Sequence, residues 1–166
     1  MIRLAFALLA ASVLLPAQAK IAVINSQQAV LETAEIKKAQ AQLEATFKPR
    51  QTEIERIQNE IAGLQSKLQS GQGRITAQEE QNLTAQGQRR QRELTRLTED
   101  LQADVDRSRN EILERVGKRM QEIVKKMADE RTLDLVIDIS NTVHFKPALE
   151  FTKEATAAYD KAYPVK

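Results

Sequence analysis

The sequence predicts an α+β chain that is mostly α: a long antiparallel coiled-coil hairpin of helices carried on a small β body. Three observations predict it. Between Leu43 and Leu68 the large apolar residues keep a 4-3-4-3 rhythm through Leu43, Phe47, Ile54, Ile57, Ile61, Leu64 and Leu68. That spacing holds one apolar stripe on a helix that supercoils around a partner. Ser70-Gly71-Gln72-Gly73 then interrupts the helix, and a second, longer helical pattern follows, the order expected of a helical hairpin. At both ends of the chain the apolar spacing changes to that of short strands.

Residues 1–19 read as a secretory signal. Arg3 precedes an apolar stretch from Leu4 to Leu15, Pro16 ends it, and Ala17-Gln18-Ala19 supplies a small-x-small cleavage pattern, with cleavage after Ala19. The stretch is too short to span a bilayer as a helix. Without Arg3 the 25 basic residues become 24 against 23 acidic ones, so affinity for anions must come from local clusters. The chain has no cysteine, which excludes a disulfide framework. Aromatic residues make up 4% and Trp is absent, so much of the chain must be solvated helix with a narrow buried stripe.

Ile21-Ala22-Val23-Ile24 reads as a buried strand, and Asn25-Ser26 as the cap of a helix turn through Leu31. From about Glu35 the chain is dense in good helix formers. Pro49 falls inside this run; the heptad continues through it in phase, so a kink is predicted and not a break. Arg50 occupies a seam slot where an apolar residue was due. Counted from Gly73, Asn25 lies nearer than Arg131, and the first arm is about 15 Å too short at helical rise for the two ends to meet. An extended stretch around Glu32-Thr33-Ala34 would make up the difference.

Thr76-Ala77-Gln78-Glu79 fits a capping box, opening a second arm from Ala77 to about Arg131. Leu94, Val105, Val116 and Met127 there are spaced eleven apart, which favours a straighter course. Gly87 and Gly117 lie inside it, and Met120 and Met127 read as seam fillers. Beyond Arg131, Leu133, Leu135, Ile137 and Ile139 alternate with Asp134 and Asp138, giving a strand over 133–139. Val143-His144-Phe145 gives a third strand, and Thr152 is placed to cap a final helix. The predicted division is a body of residues 20–34 and 131–166 and an arm of 35–130 with its tip near 70–76. Three short strands with open edges are marginal alone. Self-association is therefore predicted, with Ile21, Val23, Leu133, Leu135, Ile137, Ile139, Val143 and Phe145 as the oligomerisation body.

The chemistry-bearing motifs are missing. There is no P-loop, nucleophile elbow, zinc motif or dinucleotide fingerprint, and His144 is the single histidine. Acidic residues alternate with Lys and Arg as solvated pairs do. An enzyme is the reading the sequence rejects, and no cofactor or metal is predicted. Nucleic acid is rejected as a partner by the charge balance and by the absence of interleaved aromatics.

The stretches Ile21-Ala22-Val23-Ile24-Asn25, Lys37-Lys38-Ala39-Gln40-Ala41-Gln42-Leu43-Glu44, Phe47-Lys48-Pro49-Arg50-Gln51 and Leu133-Asp134-Leu135-Val136-Ile137-Asp138 resemble the Skp/OmpH family of periplasmic chaperones. The order of strand, hairpin arms, strands and last helix carries the resemblance across the chain after residue 19. It implies a homotrimer whose sheets join into one β-barrel and whose hairpins hang as tentacles around a cavity. Unfolded outer-membrane β-barrel proteins would be held there without ATP. It also implies a lipopolysaccharide patch on the tentacles, for which Arg89 and Arg90 are the nearest match. Arg74, Arg92 and Arg96 extend that basic cluster toward acidic clients or anionic lipid. A charge run is more often a solvated helix face, and that is the reading the sequence prefers. The runner-up function is a structural periplasmic coiled coil, a spacer or an adaptor hairpin.

Overall fold

The computed structural model describes residues 18–165, so all but the last two residues of the predicted signal segment lie outside the described residues. The chain runs β1 (Ile21–Ile24), α1 (Ser26–Leu31), α2 (Ala34–Ser70), α3 (Ala77–Glu130), β2 (Leu135–Asp138) and α4 (Thr152–Ala162). It is mostly helical with one small sheet. β1 and β2 are parallel, in the register Ile21 to Leu135 through Ile24 to Asp138. Parallel strands need a long crossover, and here α1, α2 and α3 together supply it.

Each helix boundary has a local cause. Asn25 caps α1 by accepting from the Gln28 amide at 3.0 Å. The chain leaves helical geometry at Glu32–Thr33, within the stretch predicted to be extended, and α2 starts under the Thr33 cap. Thr33 is fully buried: its hydroxyl donates to the Val30 carbonyl and accepts from the Ile36 amide. Asp160 of α4 takes the Ala34 amide at 2.9 Å, so this break is docked against the body. α2 continues through Pro49 as helix. At 37 and 54 residues, α2 and α3 extend about 55 Å and 80 Å.

α2 and α3 pack along each other through the predicted seam. Leu43, Phe47, Ile54, Ile57, Ile61, Leu64 and Leu68 are all buried or half-buried, while their neighbours are largely exposed. Their cross-links descend in number on α3 as they rise on α2: Glu35 meets Arg115 and Arg119, Arg50 meets Asp104, and Glu60 meets Arg90. Arg50, the polar residue in the seam, is satisfied by Asp104 at 2.6 Å while its guanidinium lies 6.0 Å from the Phe47 ring centre. Asp104 is held below the ordinary carboxylate range, chiefly by that hydrogen bond.

Between the arms, Gly73 adopts a φ of +71°, where a side chain is strained. Gly71 is needed for a different reason. A Cβ there would stand 2.8 Å from Ile75 Cγ2 and 2.9 Å from the Lys67 carbonyl oxygen. Thr76 then caps α3 by accepting from the Glu79 amide at 3.2 Å. Gly71→Ala should destabilise the tip by about 1–2 kcal/mol through overpacking. Hydrogen exchange should report it as faster exchange of amides near residues 67–76, with the body's amides unchanged.

The core lies at the base of the arms. Ala22 and Ile24 of β1, Ala29, Ile36, Val116, Met120, Ile123 and Met127 of α3, and Phe151, Ala155 and Tyr159 pack into one cluster. Met120 and Met127 therefore fill this core. Gly87 and Gly117 have open space where a Cβ would sit.

Three sequence expectations are corrected. The strand predicted over 133–139 is shorter: Leu133 belongs to the close of α3, where its amide bonds the Ala128 carbonyl. Ile139 sits in a 3₁₀ turn, Ile139–Asn141. Asp138 diverts the chain there, accepting from the Ser140 amide at 2.9 Å and hydroxyl at 2.7 Å, a local turn that outcompetes the period-two pattern. Val143, His144 and Phe145 form no strand, because no strand among the described residues reaches them; Val143 is fully exposed. Thr152 is the first residue of α4 and not its cap, which is Phe151. The Thr152 hydroxyl instead accepts from the Asn25 amide and donates to Glu150, tying α4 to the exit of β1.

Candidate interaction surfaces

Three surfaces are candidates for interaction: a charged groove far out on the arms, an apolar groove near their base, and the edge of the sheet. The charged groove encloses about 650 Å³ between α2 and α3. Lys67, Arg89 and Arg90 line it together with Glu60, Glu93 and Gly63. Of the five arginines singled out from sequence, the structure brings Arg89 and Arg90 to this groove. Arg92 and Arg96 are exposed on α3, Arg96 lying 3.9 Å from Asp100, and Arg74 is exposed in the turn.

Arg90 is the most committed of them. It bonds Glu93 at 2.6 Å and Glu60 at 3.0 Å, and the Glu93 bond and Glu60 charge raise its pKa further. Arg56, joined to Glu53 and Glu60, extends the chain of alternating charges along α2. A network of this kind at half-exposed positions fixes register more than it adds stability. Lys67 was missed from sequence. Folding the heptad back about the Gly71–Gly73 turn would have placed it opposite Gln86, beside the arginine cluster.

Nearer the base, Leu31, Ile36, Leu43, Val105, Ile112 and Leu113 line an open groove of about 300 Å³ between the arms. Below it Glu35 joins three helices. Its carboxylate accepts from Arg115 at 3.0 Å, from Arg119 at 3.0 Å and from the Tyr159 hydroxyl at 2.6 Å. Burial alone would raise its pKa, but the hydrogen bonds from Tyr159 and Arg115 and the nearby guanidinium charges bring it below its ordinary value. Burial, with the Glu35 bond, pushes the Tyr159 phenol up to about 12. Arg119 also lies over the Tyr163 ring, 4.6 Å from its centre. No sequence pattern announced this junction, because its members are separated by more than 120 positions at the extreme.

The sheet has one covered edge and one open one. β1 is flanked on its far side by Glu150 and Phe151, whose amide donates to the Val23 carbonyl at 3.0 Å. The far side of β2 has no strand beside it among the described residues. Ile21 is 37% exposed and Leu135 49%. Val23 is buried, and Leu133, Ile137, Ile139 and Phe145 are half-buried. Among the described residues no group of three or more His, Cys, Asp or Glu side chains could hold a metal, and no helix is long and apolar enough to cross a membrane.

Comparison with known proteins agrees with this architecture. Residues 20–159 match the family model described as outer membrane protein (OmpH-like). The chain is 25% identical over 146 residues to the chaperone protein Skp of Pectobacterium atrosepticum, covering 88% of each. It is 26% identical over 136 residues to the chaperone protein Skp of Yersinia enterocolitica, covering 82% of this chain and 83% of that one. The crystal structure of a putative outer membrane chaperone (OmpH-like) from Caulobacter crescentus has the same fold, with a TM-score of 0.74 over 91% of this chain and 89% of that one at 17% identity. With the family model spanning the body and both arms, the chain belongs to the Skp/OmpH family.

Proposed function

We propose that the protein is an ATP-independent periplasmic holdase. It works as a homotrimer that keeps unfolded outer-membrane β-barrel proteins soluble in a cavity between its arms. The body is residues 20–34 and 131–166, closed into a shared barrel, and each tentacle is an antiparallel hairpin of residues 35–130. One observation carries the reading. Both ends of the described chain are gathered into a single small body with an open β2 edge, and α2 and α3, about 55 Å and 80 Å long, run outward from it packed along each other. An isolated two-stranded sheet is marginal in water, so assembly at the sheet is the economical way to anchor such arms. A spacer or adaptor would not require chain ends that return to one sheet.

Binding would be spread over many weak contacts, with the apolar groove at Leu31, Leu43 and Val105 contributing burial. Arg74, Arg89, Arg92 and Arg96, with Lys67, would supply long-range attraction for acidic clients or for lipopolysaccharide and other anionic lipid. Arg90, held by two carboxylates, contributes register more than attraction.

The test is light scattering of the protein beginning at Lys20, alone and with a urea-diluted outer-membrane β-barrel protein. A particle of three chains that forms a soluble complex with the client is expected. A monomer that leaves the client to aggregate would overturn the proposal.

A further inference from the structure

Lys20, just before β1, is tied to the chain's other end by hydrogen bonds. Ala19 and Gln18 are exposed coil. At Lys20 three polar groups make four hydrogen bonds to one short turn, residues 132–135. Its backbone nitrogen donates to Asp134 Oδ2 at 2.7 Å. Its carbonyl accepts from the Asp134 amide at 2.8 Å and the Leu135 amide at 3.4 Å. Its Nζ donates to Thr132 Oγ1 at 2.7 Å.

Thr132 is the one non-glycine residue with positive φ among those described, at +52°. It follows the Arg131 cap of α3, and the Leu133 amide bonds back to Ala128. A glycine is the usual occupant of that position, and a β-branched residue is strained there. The hydroxyl that glycine would lack is the group that holds Lys20.

We propose that the turn from Thr132 to Asp134 is a binding site for the processed N-terminus of this same chain, with the Asp134 carboxylate as counter-ion to the α-ammonium of Lys20. The inference rests on the reading of the protein as an exported chain cleaved after Ala19. In that step a hydrolase adds water across the Ala19–Lys20 peptide bond. The hydroxyl goes to the Ala19 carbonyl, which leaves as a carboxylate, and a proton goes to the Lys20 nitrogen, which binds another at neutral pH. A neutral amide donor to Asp134 thereby becomes a cationic one, and charge-assisted hydrogen bonds are roughly twice as strong as neutral ones. Cleavage would thus tighten β1 against β2 at the end where the sheet begins. Cleavage one residue to either side would set the charge out of register with Asp134.

Asp134 faces the amine and favours its protonation, the Lys20 ammonium, which opposes it, is bonded to Thr132, and the nearby Arg131 guanidinium lies over the Phe151 ring, 5.8 Å from its centre. The test uses the full chain, signal included, exported by a bacterial host. Intact mass of the product reads the first residue: a start at Lys20 supports the processing step, and any other start overturns that step and the proposal together. Competitive acetylation of the α-amine against pH, read by peptide mass, then gives its pKa in the wild type and in Asp134→Asn. A product starting at Lys20 should titrate about half a unit above the ordinary value of roughly 7.7–8.0, and the variant should not. The same wild-type sample in urea should also lose the difference, which keeps the result independent of how the variant folds. Equal values in wild type, variant and urea, on a product starting at Lys20, would overturn the proposal while leaving the processing step intact.

Discussion

Tyr159→Ala should cost the body about 3–5 kcal/mol, the range for removing a large buried aromatic side chain. Tyr159 is 0% exposed and sits in the core with Phe151 and Ala155. Its ring packs tilted, at 47°, against that of Tyr163 with centres 5.0 Å apart, and its hydroxyl holds Glu35. Truncation therefore opens a cavity and also removes a donor from a carboxylate that has little solvent. Tyr159→Phe separates the two effects. It keeps the ring and should cost about 1.5–3 kcal/mol, the usual range for a hydrogen bond to a charged group. Denaturant unfolding followed by far-UV circular dichroism checks both. Equal losses for the two substitutions would show that packing of the ring contributes little.

The same junction sets a pH dependence. The Glu35 carboxyl is lowered from its ordinary value in the folded chain, and so is that of Asp138, which hydrogen bonds from Ser26 and then Ser140 hold far down. A carboxyl depressed on folding stabilises the fold above its unfolded pKa, and that stability is lost as pH falls through the folded value. Unfolding free energy should therefore decline from about pH 4.5 downward. On the alkaline side Tyr159 is raised, so its contribution is present below pH 10.0 and is lost as pH climbs toward about 12.

Most of the arm was legible in the sequence and much of the body was not, for a physical reason. A seam is written locally: each of Leu43 to Leu68 meets the facing helix because of its own phase on α2. The Gly71–Gly73 turn and the Thr76 cap are likewise decided by neighbours a few residues away. The break at Glu32–Thr33 fell where the arm lengths suggested, but Thr33 alone is extended there, too short a stretch to supply the missing distance of about 15 Å. The body depends on pairings between the chain ends. Asp138 looked like the wet face of a continuing strand, yet its bonds to Ser140 end that strand. Thr152 carried the right side chain for a cap and was recruited by Asn25 instead. Glu35 looked like one more helix charge until α3 and α4 closed over it. The basic cluster was visible as composition, but Arg90's commitment to Glu60 depends on how α2 and α3 are registered.

Under the proposed assembly along the β2 edge, Leu135→Asp should yield a folded single chain that no longer assembles. Within one chain Leu135 is 49% exposed, so an aspartate there stays solvated and disturbs no core contact. Its strand, β2, has β1 on one side and no strand on the other among the described residues. If copies of the chain join along that open edge, each Leu135 is buried by a neighbour, and an aspartate in its place carries an unpaired charge into the interface beside Asp134. Removing a buried anchor from an interface centre costs about 2 kcal/mol or more. An uncompensated buried carboxylate costs several more, and symmetry repeats the penalty at every copy. Light scattering should then give the mass of one chain, with helical circular dichroism at the wild-type level. Client holding should be lost with it, because a cavity between arms needs several arms. Leu135→Val, which keeps the apolar surface and suits a strand, should retain the assembled mass. An assembled Leu135→Asp protein would place the interface elsewhere, with the fully exposed Val143 the next position to test.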